Sequence, residues 1–241
     1  MSEGDQAARY LFARRWLRGG RLLDLGCGHG LGALLVDDVA DSYLGVDVDD
    51  SAITWASANV RPIARCTCQF YARSLTRDDS LSPEFDVVTA FEVIEHVTDP
   101  TGFVDIACSM LGPGGSLLVS TPFSLALGRP NAFRSPFHLR EFSAREFLDL
   151  VRPFSASIRF FKQARIDRLD VRYYKRWVNK EPGERARATG SAEVKPGIKG
   201  LASRVFHRYL NTPYFWSFRE ATESEMLNPD YTTSLAVLLK T

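Results

Sequence analysis

The feature that most constrains this chain is a run of glycines at every second position after a short apolar stretch. Residues 22–25 are typical of a buried strand, and Asp24 lies near its end. Gly26, Gly28 and Gly30 follow, before a segment with the apolar spacing of a helix. Glycine allows sharp turns and leaves no Cβ in the way of a ligand. Strand, glycine turn and helix therefore predict a ligand site at the carboxyl edge of a parallel sheet, where such folds bind nucleotides.

Two cofactors fit this turn. Counted from Gly28, the turn matches the dinucleotide pattern G-x-G-x-x-G/A, and Asp47 follows where a ribose-binding acid is expected. Counted from Asp24, it is Asp-x-Gly-x-Gly-x-Gly and resembles motif I of the class I S-adenosylmethionine (SAM) methyltransferases. The second interpretation is favoured because the turn begins at Gly26, too early for the dinucleotide pattern. An acid at this point also suits a cofactor with a free ammonium group and no pyrophosphate.

Apolar stretches and helical patterns alternate along the chain, which predicts a parallel, doubly wound α/β sheet. An amphipathic helix is predicted over residues 6–18, and Gly19 and Gly20 end it. The further predicted strands are 43–47, 66–71, 85–90, 116–120, 157–163 and 231–240, and the further predicted helices are 50–60 and 100–110.

Four motifs make residues 20–122 similar to the class I SAM-dependent methyltransferases. They occur in the family's order and at its spacing, and together they are far more specific than any one of them. The resemblance implies SAM as cofactor and a Rossmann-like, doubly wound seven-stranded sheet, whose last two strands form a hairpin that includes an antiparallel strand. The motifs are Asp24-Leu-Gly-Cys-Gly-His-Gly30, Gly45-Val-Asp47, Phe91-Glu-Val-Ile-Glu-His96 and Pro113-Gly-Gly115.

The resemblance also implies which residues contact the cofactor. Asp24 would lie near the methionine ammonium, indirectly or through water, and the backbone of residues 26–30 would run beside the amino-acid moiety. Asp47 would accept hydrogen bonds from both ribose hydroxyls, for which a carboxylate is suited. Val48 would pack on the adenine, and Phe91 would close over the methionyl chain.

Acids and histidines follow the fourth predicted strand. Glu92, Glu95 and His96 have the spacing of one face of a helical turn, and His138 lies some forty residues farther on. This pattern resembles two groups, the ubiquinone-biosynthesis O-methyltransferases and the enzymes that methylate the 3′-terminal ribose of small RNAs. In both groups, two acids and two histidines hold a divalent ion that binds the acceptor hydroxyls. The resemblance therefore implies a site for Mg²⁺, Mn²⁺ or Zn²⁺.

Two other roles stay open for the same residues. His96 or His138 could act as a general base or contact the substrate, because methyl transfer to a hydroxyl requires removal of its proton. Alternatively the cluster is structural, since similar sequences occur in metal-free members of the wider family, where the acid caps the helix and the histidine packs nearby.

The chain is predicted to have three parts. Residues 1–20 form an N-terminal helix, and residues 21–163 plus 231–241 form the SAM-binding domain. Residues 164–230 replace the usual short hairpin loop, and they are predicted to be an inserted lid that binds the acceptor. Basic residues outnumber acidic ones in most of this segment, which would suit an acidic acceptor or RNA. A solvated lid surface or a homodimer contact explains the same excess.

Composition sets broad limits. The net charge of +1 gives no signal for nucleic acid or membrane, and no apolar run approaches the ~20 residues of a membrane span. The N-terminus has no signal-peptide core. We therefore expect a cytoplasmic protein without a membrane partner. Its four cysteines are expected to be reduced thiols, with Cys66 and Cys68 on opposite faces of a strand.

These observations lead to one functional prediction with two alternatives. The chain is predicted to be a SAM-dependent methyltransferase acting on a hydroxyl of a small molecule, such as a phenol or quinol, a sugar or a natural-product scaffold. One alternative acceptor is the 2′-hydroxyl at the 3′ end of an RNA, although no RNA-binding module is recognisable. The other alternative is a non-catalytic SAM-fold protein that serves as a partner subunit.

Overall fold

A single mixed sheet forms the centre of the molecule. The computed structural model describes residues 3–74, 84–123, 138–155, 157–166, 215–227 and 233–239. Within them, eight strands pair into one sheet. The strands are β1 Arg21–Leu25, β2 Ser42–Asp47, β3 Thr67–Ala72, β4 Phe85–Phe91, β5 Leu111–Pro122, β6 Ser157–Ile166, β7 Phe215–Ala221 and β8 Thr233–Leu239.

The order of the strands places a ligand site at one edge of the sheet. They lie in the order β3-β2-β1-β4-β5-β8-β6-β7. The strands from β3 to β5 run parallel, whereas β8 is antiparallel to β5 and β6, and β7 is antiparallel to β6. The chain proceeds outward from β1 to β3 and then returns to place β4 on the other side of β1. Ligands of open α/β sheets bind at such a switch point, beyond the carboxyl ends of the strands.

Helices cover both faces of the sheet and create two apolar cores. One core packs beneath the helices that precede residue 60, and the other packs beneath the helices that follow residue 99. None of the helices in the described part of the chain has the length and apolarity that crossing a membrane requires. The helices are α1 Glu3–Ala13, α2 Leu31–Val36, α3 Asp50–Asn59, α4 Pro100–Ser109, α5 Ala144–Val151 and α6 Glu223–Met226, with 3₁₀ helices at Ile94–His96 and Arg152–Phe154.

The Rossmann-like α/β fold predicted from the motifs is confirmed. The sheet has eight strands in the described residues rather than seven, because β6 continues to Ile166 and β7 pairs with it as an added edge strand. This added strand comes from the segment 164–230 that the sequence predicts as an insertion. Residues 167–214 lie outside the described residues, so the lid and the division into domains stay predictions.

The N-terminal helix is shorter than its apolar pattern suggests. It ends at Ala13 rather than near residue 18, and the next residues form tighter turns. The amide of Arg15 bonds to the carbonyl of Phe12, and the amide of Trp16 bonds to the carbonyl of Ala13. These are three-residue spacings, which commonly close the end of an α-helix. Trp16 still packs against the core because the turn keeps its ring close to Phe12.

The expectation for Cys66 and Cys68 is wrong. Their side chains lie on one face, with the two Sγ atoms 3.5 Å apart, because alternate residues of a strand point the same way. Both thiols are buried, as is that of Cys27, and Cys108 is half-buried. That the four thiols are reduced stays a prediction.

Candidate active site

The glycine turn after β1 has an open outer side. Gly26, Gly28 and Gly30 have φ angles of 74°, 49° and 75°, in the left-handed region that favours glycine. A Cβ on Gly26 would lie 2.4 Å from Cγ2 of Val93, whereas a Cβ on Gly28 would meet no atom of the described residues within 4 Å. The start of the turn, at Gly26, therefore packs against the segment after β4. The middle of the turn, at Gly28, is open among the described residues, so a ligand could approach the backbone there.

Asp47 lies across this turn at the carboxyl end of β2. Its Oδ2 accepts a hydrogen bond from the Gly28 amide at 2.7 Å, and its Oδ1 accepts one from the Asp49 amide at 3.0 Å. A carboxylate has about four acceptor positions, so two remain for a ligand. Val48 follows with 77% of its surface exposed, which leaves an apolar side chain available beside the carboxylate.

Asp24 is fully buried at the end of β1, among three hydroxyl groups. Its Oδ2 accepts hydrogen bonds from Tyr10, at 2.8 Å, and from Tyr43, and its Oδ1 accepts one from Thr89 at 2.7 Å. Burial raises the pKa of Asp24 to about 6, although these three hydrogen bonds favour the charged form. Because Asp24 has no exposed surface, direct contact between it and a ligand would require the groups around it to move.

Phe91 lies at the end of β4 and contacts the same N-terminal helix. It is 5% exposed, and its ring meets the Tyr10 ring at 5.2 Å in an edge-on arrangement of 74°. Tyr10 therefore touches two of the predicted cofactor residues, Asp24 through its hydroxyl and Phe91 through its ring. The cofactor-binding roles of all these residues stay predictions.

Three of the four predicted metal ligands lie together. Glu95, His96 and His138 each offer one ligand atom, and these atoms all lie within 4.8 Å of one another. The two imidazole rings meet at 4.9 Å and 82°. The carbonyl of Glu95 accepts hydrogen bonds from the amides of Leu139, at 2.9 Å, and Arg140, at 3.3 Å. These two bonds hold the chain after His138 against the 3₁₀ helix that carries the other two residues.

Two buried polar atoms of this cluster, one on Glu95 and one on His138, have no hydrogen-bond partner among the described residues. Glu95 Oε2 accepts a hydrogen bond from Thr121 at 3.0 Å, but its buried Oε1 has no hydrogen-bond partner among the described residues. The same is true of the buried Nδ1 of His138, which lies 4.0 Å from Oε1 of Glu141. Burial and the nearby charge of Glu92 raise the pKa of Glu95 to about 8. Burial and His96 lower the pKa of His138. Buried polar atoms without a protein partner are often satisfied by a bound ion or ligand.

Glu92 does not join the other three residues, contrary to the spacing argument. That argument assumed a helical turn from residue 92, but Glu92 has a φ of 59° and the 3₁₀ helix starts only at Ile94. Its Oε1 instead accepts a hydrogen bond from Ser120 at 2.8 Å and forms an ion pair with Arg9 at 3.4 Å. The predicted four-residue metal set is thus reduced to three residues in this arrangement.

Sequence reasoning missed the polar side chains that contact Asp24 and Glu92. Arg9 and Tyr10 lie on α1, within four consecutive residues that are all buried, and an amphipathic pattern does not predict buried polar neighbours there. Tyr43 and Thr89 occupy strand positions that look like ordinary core. The sequence feature that could have identified Tyr43 and Thr89 is weak. Each is a hydroxyl-bearing residue in a strand, and both of these strands pair with β1.

Comparisons with known proteins point to one family. A family model described as "Methyltransferase domain" matches residues 5–158. A probable S-adenosylmethionine-dependent methyltransferase of Mycolicibacterium smegmatis is 38% identical over 138 residues, which cover 54% of this chain and 49% of that protein. A ubiquinone biosynthesis O-methyltransferase of Marinobacter nauticus is 35% identical over 120 residues, which cover 46% of this chain and 48% of that protein. The match thus spans about half the length of these relatives.

Solved structures agree at the level of the fold. A putative methyltransferase from Bacillus halodurans superimposes with a TM-score of 0.60 and covers 97% of this chain and 98% of its own. Its sequence is only 14% identical to this chain, so the similarity concerns the architecture and not the substrate.

Proposed function

The chain belongs to the methyltransferase-domain family, and from that premise we propose that it transfers a methyl group from SAM to a hydroxyl oxygen of a small molecule. The observation that carries the proposal is the contact between two sites at the switch point of the sheet. The glycine turn packs on Val93, within the same segment that carries Glu95 and His96. A methyl donor on the turn would therefore lie next to an acid–histidine cluster suited to an acceptor hydroxyl.

The residues around the turn fit SAM. Asp47 has acceptor positions left for two ribose hydroxyls, Gly28 leaves the backbone clear, and the exposed Val48 offers an apolar surface to adenine. Asp24 would act on the methionine ammonium through the hydroxyls around it, and Phe91 would border the methionyl chain. Bound SAM would supply an electrophilic methyl carbon; its transfer to an acceptor oxygen would break the carbon–sulfur bond and release S-adenosylhomocysteine.

His138 is suited to take the acceptor's proton. Burial and the neighbouring His96 lower its pKa, so the imidazole is neutral and able to accept a proton at neutral pH. Its Nδ1 makes no hydrogen bond to a described residue, and one of its two ring nitrogens lies within 4.8 Å of a ligand atom of Glu95 and of His96. His96 would then orient the hydroxyl or share the proton.

A divalent ion fits the same cluster. Glu95 offers a carboxylate oxygen, and His96 and His138 each offer a ring nitrogen, which are donors of the kinds that Mn²⁺, Mg²⁺ and Zn²⁺ accept. Such an ion would lower the pKa of an acceptor hydroxyl as a Lewis acid. Glu95 would then carry its charge at neutral pH, instead of the proton that its raised pKa favours in the free protein.

Hydroxyl methylation is favoured by two independent features. Histidine and carboxylate ligands beside the donor suit an oxygen acceptor, and a relative aligned over half of its length is a ubiquinone biosynthesis O-methyltransferase. The acceptor class is part of the proposal, since the aligned regions leave half of each relative unmatched.

Labelled SAM tests the proposal directly. The protein is incubated with methyl-labelled SAM and separate pools of phenols and quinols, sugars, natural-product scaffolds and small RNAs, each with and without a chelator. We expect label in a small molecule, and loss of that label with chelator if the cluster holds an ion. Label in RNA alone would replace the proposed acceptor class. SAM binding without transfer to any pool would favour a non-catalytic partner protein.

A further inference from the structure

Two neighbouring residues of α1 are buried polar side chains that reach the edge where the strands end. Arg9 is 1% exposed and Tyr10 is 6% exposed. Arginine is rarely buried without a partner, so this placement calls for a specific explanation. Successive residues of an α-helix point about 100° apart, so two neighbouring residues of one helix can contact two different groups of side chains.

Tyr10 contacts the cofactor side of the site. Its hydroxyl donates to Asp24 Oδ2 at 2.8 Å, and burial raises the pKa of Tyr10, so the hydroxyl keeps its proton. Its ring occupies space that exists because residue 32 is glycine. A Cβ on Gly32 would lie 2.5 Å from Cε1 of Tyr10 and 2.9 Å from Oδ2 of Asp24. Tyr10 on α1, Gly32 on α2 and Asp24 on β1 therefore pack against one another around this hydrogen bond.

Arg9 contacts the acceptor side. Its Nε donates to Gln163 Oε1 at 3.0 Å, and its Nη2 pairs with Glu92 Oε1 at 3.4 Å. Glu92 also accepts the hydrogen bond from Ser120, so the guanidinium connects α1 to the ends of β4, β5 and β6. This network holds the carboxylate of Glu92 away from the group formed by Glu95, His96 and His138.

We propose that Arg9 and Tyr10 are positioning residues that make α1 a part of the active site. Tyr10 fixes the acid at the end of β1, and Arg9 fixes the acid at the end of β4. Because both side chains belong to one helix, a shift of that helix would move the residues around the glycine turn and the residues around the acid–histidine cluster together. The proposal rests on the proposed function, since its cofactor side is defined by SAM.

The test measures the affinity for S-adenosylhomocysteine (SAH), the demethylated product of SAM, by calorimetry. Tyr10→Phe keeps the ring and removes only the hydroxyl, and we expect it to weaken SAH binding about tenfold, as loss of a hydrogen bond to a charged group would. Arg9→Met, which removes the contacts of Arg9 to Gln163 and Glu92, is expected to weaken SAH binding about threefold. Arg9→Lys should recover part of that loss. The double variant should lose less than the product of the two factors, because both act through one helix.

Arg14→Met is the matched control. Arg14 follows α1 and holds it through Asp38, at 2.8 Å, and the carbonyl of Leu35, also at 2.8 Å, with no contact to either acid. We expect this variant to lower the melting temperature and leave SAH affinity unchanged. If Arg9→Met and Tyr10→Phe behave in the same way, α1 is only scaffold and the proposal is wrong. Failure of the wild-type protein to bind SAH would instead contradict the proposed function itself, and this proposal with it.

Discussion

The two halves of the candidate site differ in how completely the protein satisfies its own polar groups. On the cofactor side, Asp24 accepts from three hydroxyls and Asp47 accepts from two backbone amides. On the acceptor side, Glu95 Oε1 and His138 Nδ1 are buried without hydrogen-bond partners among the described residues. Each such atom costs about 1–3 kcal/mol of stability. The difference suggests a cofactor site that is organised in advance and an acceptor site that is completed by what it binds.

The largest expected effect comes from the acceptor half. His138→Ala should lower kcat by about 10²- to 10⁴-fold, the usual loss on removing a general base, while SAH affinity stays unchanged. Steady-state kinetics and calorimetry on the same preparation separate the two quantities. Glu141→Gln is the control, because its carboxylate lies 4.0 Å from His138 Nδ1 without a hydrogen bond. Full turnover in His138→Ala would remove this histidine from the mechanism.

The next effect comes from the cofactor half. Asp47→Ala removes a carboxylate that holds the Gly28 amide and offers two positions to a ligand, so SAH affinity should fall by about 100-fold or more. Circular dichroism should show an intact fold. The exposed Asp50, at the start of α3, provides the control variant Asp50→Ala, which we expect to bind SAH normally. Equal affinities in the two variants would mean that the cofactor lies elsewhere.

A smaller effect concerns the stability cost of the buried Asp24. Its pKa rises from 3.8 in the unfolded chain to about 6, so the folded protein binds the proton more tightly. Stability from this group is present below pH 4 and is lost as the pH rises to about 6, by about 2–3 kcal/mol. Asp24→Asn should therefore be more stable than the wild type at pH 7 and gain little at pH 4. Urea unfolding at both pH values measures this, and a pH-independent difference would contradict it.

The smallest expected effect is a shift in melting temperature with a metal ion. Mn²⁺ at about 100 times its Kd should raise the melting temperature of the wild type by about 5 °C, since binding to the folded state stabilises it. Glu95→Gln should abolish most of the shift, and Glu141→Gln should retain it. An unchanged rise in melting temperature in Glu95→Gln would mean that the ion binds at another site. The unpaired polar atoms of the acceptor half would then have to be satisfied by the acceptor itself.

The cofactor half could be predicted because its signals are contiguous in sequence. The glycines need left-handed backbone angles, and the acid at the end of β2 follows directly from strand periodicity. The same reasoning predicted that the strands β1 to β5 belong to a parallel, doubly wound sheet, which the structure confirms. The added strand β7 escaped prediction because its partner is determined by the sheet edge and not by its own pattern.

The acceptor half was predicted less accurately because its geometry depends on distant contacts. Residue spacing placed Glu92 with Glu95 and His96, but a left-handed backbone and a buried arginine from α1 give it other partners. Arg9 bonds to Gln163, 154 residues away, and no local pattern encodes such a contact. The metal site, the homodimer and the cytoplasmic location stay predictions.

Calorimetric titration of the wild-type protein with SAH and with NAD, each in the presence of a chelator, tests the central claim most directly. A cofactor half that is complete without an ion should bind SAH at one site with the same affinity whether or not chelator is present, and should not bind NAD. Binding of NAD in place of SAH would return the glycine turn to the dinucleotide interpretation. SAH binding that disappears with chelator would show that the two halves are not organised independently.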